Sequence, residues 1–342
     1  MFFKVATLAQ LNAFDEIIDV RSPSEFAVDH LPGAISCPVL DDAERARVGT
    51  LYCQQSPFAA RRVGAALVAR NIALHIEERF HDRPKSWRPL VYCWRGGQRS
   101  GAMALVLAQV GWAAHQLEHG YKGYRQQVLA DLEQLPAGID WRVLTGPTGS
   151  GKSRLLAALA RHGRQVLDLE GLASHRGSVL GLVPGQTQPS QKAFESALRQ
   201  ALIACDGREP VYIEAESRHI GRLTLPNALL AAMQSAPAIR LEVPLAERVR
   251  FLLEDYAFLT EQPALLTAQL DRLKTLYARE QWDAWQRLIQ SAQYAELVQA
   301  LLEAHYDPLY RRSTAKHFAA ETCTLTLAGV TDDALEQASS VL

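Results

Sequence analysis

A chain of 342 residues with 48% apolar and 21% charged side chains has an ordinary soluble composition and is long enough for two domains. Its formal net charge of -1 and pI near 6.8 exclude a globally basic nucleic-acid binder but leave room for a local basic patch. There is no signal-peptide core and no apolar run near membrane-spanning length. The five scattered cysteines contain no C-x-x-C pair, so a cytoplasmic chain with free thiols is expected.

In chain order, Phe14 to Val20 reads as a short strand, followed by a helix start at Ser22-Pro23 with Glu25 placed for a capping box. His30-Leu-Pro-Gly-Ala-Ile35 turns into another brief strand, and an amphipathic helix is predicted from about Phe58 to Ile72. Pro89-Leu-Val-Tyr-Cys93 is a buried-type strand. It runs into Cys93-Trp-Arg-Gly-Gly-Gln-Arg99-Ser100 and then a helix over 101–108. A cysteine at a strand end, before a glycine-bearing loop and a helix N-terminus, sits in an anion cradle. Arg95 and Arg99 are expected to lower its pKa further. Cys37, Cys53, Cys205 and Cys323 lack such a setting and are expected to be packing residues.

A strand-like segment at 112–116, a helix to about Leu132 and the turn Leu135-Pro-Ala-Gly138 close the first part. Trp141 to Thr145 then leads as a strand into Gly146-Pro-Thr148-Gly149-Ser150-Gly151-Lys152-Ser153 and a helix, the full context of a phosphate-binding loop. Glycines let the backbone close on an anion, the amides point inward, Lys152 reaches a terminal phosphate, and Ser153 is placed to ligate Mg²⁺. A strand over 165–170 puts Asp168 and Glu170 on one face, ahead of the polar stretch with His175 and Arg176. Together they are candidate ligand or Mg²⁺ contacts at a strand end. Pro210 to Glu214, with Glu216 beyond it, resembles the acidic strand of nucleotide hydrolases, with Glu where most carry Asp.

A helix with Ser190 as cap is predicted over 193–204 and a strand over 238–243. A helical remainder follows, in which Trp282 and Trp285 share one face and His305 to Ser313 gathers aromatic and basic groups suited to RNA phosphates. The expected fold is α/β: residues 1–135 first, then a parallel-sheet domain over 139–245, a mainly helical region over 246–328, and an acidic tail over 329–342 that frays.

Asp19-Val-Arg21-Ser-Pro-Ser-Glu25-Phe26, His30 to Ile35 and the Cys93 loop resemble a rhodanese domain, in which the loop cysteine carries a persulfide or related chalcogen adduct. By that resemblance Asp19 and Arg21 buttress the loop. The Cys93 to Arg99 spacing also meets the C-x-x-x-x-x-R pattern of Cdc25-like and dual-specificity phosphatases. Adding the phosphate loop, Asp168 to Ser178, Gln188-Pro-Ser-Gln191 and Glu214-Ala-Glu216-Ser217, the chain resembles the bacterial tRNA 2-selenouridine synthase family over almost its whole length.

The resemblance implies a transferase acting on tRNA that carries 2-thiouridine at wobble position 34. The sulfur is first geranylated from geranyl diphosphate, and the S-geranyl group is then exchanged for selenium from selenophosphate. Both donors are co-substrates, and no tightly bound cofactor is expected beyond Mg²⁺. Expected partners are tRNA and a selenophosphate-supplying enzyme, with the chain itself a monomer or weak oligomer. Cys93, Arg95, Arg99 and Lys152 are the expected catalytic residues. An apolar channel for the geranyl group is required beside Lys152, although no particular leucines stand out for it. Two other readings are a kinase or sulfurtransferase with a rhodanese module, and a non-enzymatic tRNA-binding persulfide relay.

Overall fold

The computed structural model describes residues 3–178, 180–181, 185–317 and 321–342. The chain divides into two compact units, Met1–Asp131 and Leu132–Leu342.

In the first unit five short strands form one parallel sheet: β1 (Lys4–Ala6), β2 (Glu16–Asp19), β3 (Ala34–Ser36), β4 (Pro89–Tyr92) and β5 (His115–Leu117), in the order β1-β5-β4-β2-β3. Crossover helices are what parallel strands require. Here they are α1 (Pro23–Val28), α2 (Asp42–Gln54), α3 (Pro57–His75), α4 (Gln98–Val110) and the start of α5 (Gly120–Gln134). α1 begins as its sequence dictates, with Ser22 and Glu25 forming a reciprocal capping box and Pro23 at the first turn. β4 lies inside the sheet and is buried along its whole length, so whatever follows Tyr92 emerges at a fixed point on the carboxyl edge. Ile18, Val20, Val91, Met103 and Leu107 build the core beneath it. Of the cysteines expected to pack, Cys37 is buried, but Cys53 and Cys323 are exposed.

The second unit holds β6 (Trp141–Thr145), β7 (Gln165–Leu167), β8 (Val211–Glu214), a small hairpin of β9 (His219–Ile220) and β10 (Leu223–Thr224), then β11 (Ala238–Glu242) and β12 (Glu321–Thr326). The main sheet is parallel, in the order β12-β11-β6-β8-β7. The strand order switches sides at β6, with β8 and β7 on one side and β11 and β12 on the other, and ligands of open α/β sheets bind outside the carboxyl ends at such a switch point. Its helices are α6 (Lys152–Arg161), α7 (Leu169–Ala173), α8 (Gln191–Ala204), α9 (Asn227–Ser235) and α10 (Leu245–Asp255). They are followed by α11 (Ala257–Thr260), α12 (Pro263–Leu270), α13 (Arg279–Gln290), α14 (Tyr294–Leu301), α15 (Asp307–His317) and α16 (Asp332–Val341). α8 starts at Ser190, whose hydroxyl accepts the Ala193 N–H. Trp282 and Trp285 do share a buried face, within a separate core of the helical region.

Two expectations are corrected. The strand predicted over 165–170 ends at Leu167, because Asp168 caps α7 by accepting the Gly171 N–H at 2.7 Å, and Glu170 enters through the first helical turn. The segment from Gly329 does not fray. Thr331 caps α16, Leu335 and Ala338 are buried against the core of α6, and Val330 packs on the phosphate loop itself. Acidic residues at the start of α16 are favourable there, since they face the positive end of the helix dipole. No helix among the described residues is long and apolar enough to cross a membrane.

Candidate active site

Each unit ends a buried strand in a glycine-bearing loop that leads into a helix N-terminus. In the first, Cys93 follows β4 and is itself buried. Its Sγ accepts the Gly97 N–H at 3.3 Å and the Ser100 hydroxyl at 3.1 Å. Gln116 on β5 donates to Ser100 Oγ at 2.7 Å, leaving the hydroxyl proton for the sulfur or for the Gly97 carbonyl at 3.3 Å. Burial alone would push the thiol pKa up. The Ser100 hydroxyl and the backbone N–H groups of Ser100, Gly97 and Arg95 overcome it and hold Cys93 below the ordinary thiol value.

The source of this stabilisation differs from the expectation. Arg99 points its guanidinium to Glu25 at 2.9 Å, and Arg95 acts through its backbone while its side chain is exposed.

The loop is clamped from behind by residues with no motif of their own. Tyr121 and Lys122 donate their N–H groups to the carbonyls of Cys93 and Trp94, both at 2.8 Å. That approach needs Gly120, at φ +54°, where a Cβ would stand 2.3 Å from the Cys93 carbonyl oxygen. The Asp19–Arg21 pair is wholly buried, and the Arg21 guanidinium stacks 4.0 Å from the Tyr121 ring. Arg21 also donates to the Asp29 carbonyl at 2.6 Å, while Tyr121 donates its hydroxyl to the Asp29 carboxylate at 2.8 Å. These two residues thus support the loop through Tyr121. The spacing from Cys93 to Gln116 and Tyr121 is irregular, so only folding brings them together.

In the second unit, Gly146 to Gly151 links β6 to α6 with Gly146, Gly149 and Gly151 all at positive φ. A side chain at Gly146 would strike Ser150, and one at Gly151 would strike Val330. Lys152 Nζ donates to the Gly146 carbonyl at 2.8 Å, so it lies folded over the loop. Arg248 on α10 fixes the loop from outside, donating to the Thr148 carbonyl at 2.8 Å while held by Asp307 at 2.6 and 3.0 Å. This buried pair was not predicted; a lone arginine in a helical sequence carries no signal of it.

Facing the loop, Glu170, Glu214 and Glu216 bring carboxylate oxygens within 4.8 Å of one another. Ser153 Oγ lies 2.9 Å from both Glu170 and Glu214. Burial, then the negative charge of neighbours, raises all three: Glu216 weighs on Glu170, Glu170 on Glu214, and Glu214 on Glu216, which is pushed up to about 8. Gly177, at φ +55°, lies over the cluster, and a Cβ there would come within 2.8 Å of Glu170 and Glu216. A set of hard oxygen donors with unrelieved like charge suits a divalent cation. Glu170, Glu214, Glu216 and Ser153 are the residues that would hold Mg²⁺.

The remaining candidates separate. Arg176 pairs with Asp255 and stacks over Tyr256, lining the same cleft as Lys152 and Glu216. Asp168 is exposed at its capping position, and His175 is buried and kept neutral by desolvation, so neither lines the cleft. The stretch expected to touch RNA splits: His305, Tyr306 and Tyr310 line the cleft, whereas Arg311 and Arg312 are exposed.

The cleft has a volume of about 590 Å³. Adjoining it is a second cavity of about 60 Å³, walled by leucines of α10, α11, α12 and α14. Thr148, Ser178, Leu252, Tyr256 and Tyr306 line both.

Residues 5–127 match the Rhodanese-like domain family. Residues 139–271 match the tRNA 2-selenouridine synthase AAA domain. The chain is 35% identical over 323 residues to a tRNA 2-selenouridine synthase of Aeromonas salmonicida, with 86% of each chain covered. A protein of the same name from Alcanivorax borkumensis is 33% identical over 326 residues, with 86% of this chain and 88% of the relative covered. For Nitrosomonas europaea the figures are 38% over 253 residues, 71% of this chain and 64% of the relative's length. Near-full-length likeness, carried through both anion loops, means that the chain belongs to the tRNA 2-selenouridine synthase family.

Proposed function

We propose that this protein is a tRNA-modifying transferase that geranylates the 2-thio group of wobble uridine 34 and then replaces S-geranyl by selenium from selenophosphate. The observation that carries the reading is the apolar cavity opening off the phosphate-loop cleft. A nucleoside needs polar partners for its base and ribose. Leucine and tyrosine faces beside a diphosphate cradle instead suit a prenyl diphosphate.

In the first step the tRNA sulfur attacks C1 of the prenyl donor, the C1–O bond breaks, and the diphosphate leaves with the bonding pair. Charge builds on the leaving oxygen beside the loop, where Lys152, hydrogen-bonded here to the Gly146 carbonyl, would turn onto it along with the amides at the start of α6. When bound, Mg²⁺ would neutralise further diphosphate charge. The residue pair Arg248–Asp307 keeps the loop in register, and the Tyr256 and Tyr306 side chains restrict water around the reacting carbon. The S-alkylated C2 is electrophilic and carries a competent leaving group. In the second step the selenium of selenophosphate attacks C2, the C2–S bond breaks with geranylthiolate leaving, and hydrolysis of the P–Se bond releases phosphate. The Cys93 thiol of the first unit, whose pKa its hydrogen bonds lower, is the candidate group for handling selenium there.

Incubation with thiolated tRNA, geranyl diphosphate and selenophosphate, each omitted in turn, tests the order. Without selenophosphate the S-geranyl nucleoside should accumulate, and without geranyl diphosphate the 2-thiouridine should remain unchanged. Direct exchange of sulfur for selenium without geranyl diphosphate would overturn the reading.

A further inference from the structure

Away from the cleft, the small cavity backs onto buried core. The residues it does not share with the cleft include Leu259, Leu266, Leu297 and Leu301, all no more than 5% exposed and all part of the tryptophan-centred helical core. Its mouth is formed by the five side chains common to both cavities, among them Thr148 of the phosphate loop. An apolar group attached to a phosphate in the loop therefore has a dry direction to take, past Tyr256 and Tyr306 and toward α12 and α14.

The volume then sets a limit. An engineered cavity of about 150 Å³ holds one benzene ring, so a cavity of about 60 Å³ admits only a few carbon atoms at the end of a chain. The packed core around it does not yield cheaply, since extra methylenes forced into such a site push side chains off their rotamers and shift the backbone.

We infer that Leu266, Leu297 and Val298 form a gauge of prenyl chain length, which admits the tail of a short prenyl diphosphate and rejects one that is an isoprene unit longer. The inference rests on the prenyl-diphosphate reading above and adds the residues that choose among such donors. Truncating two of these leucines to alanine removes about as many carbons as one isoprene unit contains, with partial collapse of the space. Val298, on the same wall, offers the opposite change: a larger side chain there shortens the cavity.

The test compares dimethylallyl, geranyl and farnesyl diphosphates as donors to thiolated tRNA, read by mass spectrometry of the nucleosides. In the Leu266→Ala/Leu297→Ala variant the farnesyl-to-geranyl rate ratio should rise at least about tenfold. In Val298→Phe the dimethylallyl-to-geranyl ratio should rise while geranyl transfer falls. Should the double variant fail to fold, Val298→Phe decides alone, because it deletes no core contact. Transfer of geranyl by the wild type with unchanged ratios in the folded variants overturns the gauge and leaves the prenyl reading standing. A wild type that transfers none of the three donors overturns the reading itself.

Discussion

The Cys93 loop and the Gly146–Ser153 loop are built alike and filled differently. Each follows a buried interior strand of a parallel sheet and ends at a helix N-terminus, where unpaired amides gather. In the first, the protein supplies its own anion: Cys93 Sγ takes the Gly97 amide and the Ser100 hydroxyl. In the second, Lys152 lies folded over the loop, and the nearby carboxylates are raised because burial and their mutual repulsion outweigh the pull of Lys152. Under the proposed function, one architecture thus favours a resident nucleophile in one unit and receives a phosphate in the other.

The largest effect should come from removing the centre of each loop separately. Lys152→Ala is expected to slow geranyl transfer about 10²- to 10³-fold, the loss typical of one preorganised charge-stabilising donor. Supplied with tRNA already S-geranylated, it should still incorporate selenium. Cys93→Ala should do the reverse, forming S-geranyl nucleoside that is never selenated. Loss of both reactions in either purified, folded variant would show that the loops do not divide the chemistry. Mass spectrometry of the digested tRNA reads both steps at once.

Next in size is the support of the phosphate loop. Arg248→Ala leaves the part-buried Asp307 carboxylate, 16% exposed, without its partner, and Arg248 itself is only 5% exposed. Breaking such a pair costs about 3–5 kcal/mol, measurable as a lower denaturation midpoint. The Cys93 loop has no matching ion pair to its carbonyls; its counterpart is Gly120. A Gly120→Ala change should therefore impair selenation while leaving geranyl transfer intact, because the clash falls on the Cys93 carbonyl.

Both loops were legible because each motif is contiguous and its strand and helix context can be read on either side. What lies around them was not. Gln116, Tyr121 and Gly120 reach the Cys93 loop through sheet order, which pairs β4 with β5 only after folding. Asp168 misled because alternation around Leu169 reads equally well as a strand or as a cap followed by a helical turn. The prenyl cavity stayed hidden because its leucines come from four short helices and resemble any core leucines. The tail was misjudged from its acidic, small-residue composition. Its alternation of Leu335 and Ala338 with polar residues was the signal of a packed helix.

A smaller effect separates the carboxylates from the thiolate by pH. Glu216 rises to about 8 in the folded protein against about 4.3 when unfolded. The folded state therefore binds more protons across that interval. The stabilising contribution of the protonated carboxyl is fully present below the unfolded value and is lost as pH rises through the folded one. Without divalent cations, thermal stability should fall from pH 5 to 9. Glu214→Gln should flatten that fall and gain a few degrees at pH 9, at about 2–4 °C per kcal/mol for a unit of this size. Mg²⁺ should rescue the wild type at high pH and the variant much less. A wild-type midpoint indifferent to Mg²⁺ at pH 9 would remove the cation from this cluster.

The finest test asks what holds the thiolate. If hydrogen bonds do so, Ser100→Ala must raise the Cys93 pKa, since it deletes the leading stabilising contact and leaves burial, the largest opposing influence, untouched. The pH midpoint of alkylation by iodoacetamide should move upward, with a several-fold slower rate near pH 7, about what one charge-assisted hydrogen bond supports. At high pH the variant should react slightly faster than the wild type, because a more basic thiolate is the better nucleophile. Arg95→Ala retains its backbone N–H and should scarcely move the midpoint. If instead Arg95→Ala produces the larger shift, side-chain charge governs the thiolate, and the contrast between a loop that stabilises its own anion through hydrogen bonds and one that awaits a phosphate is lost.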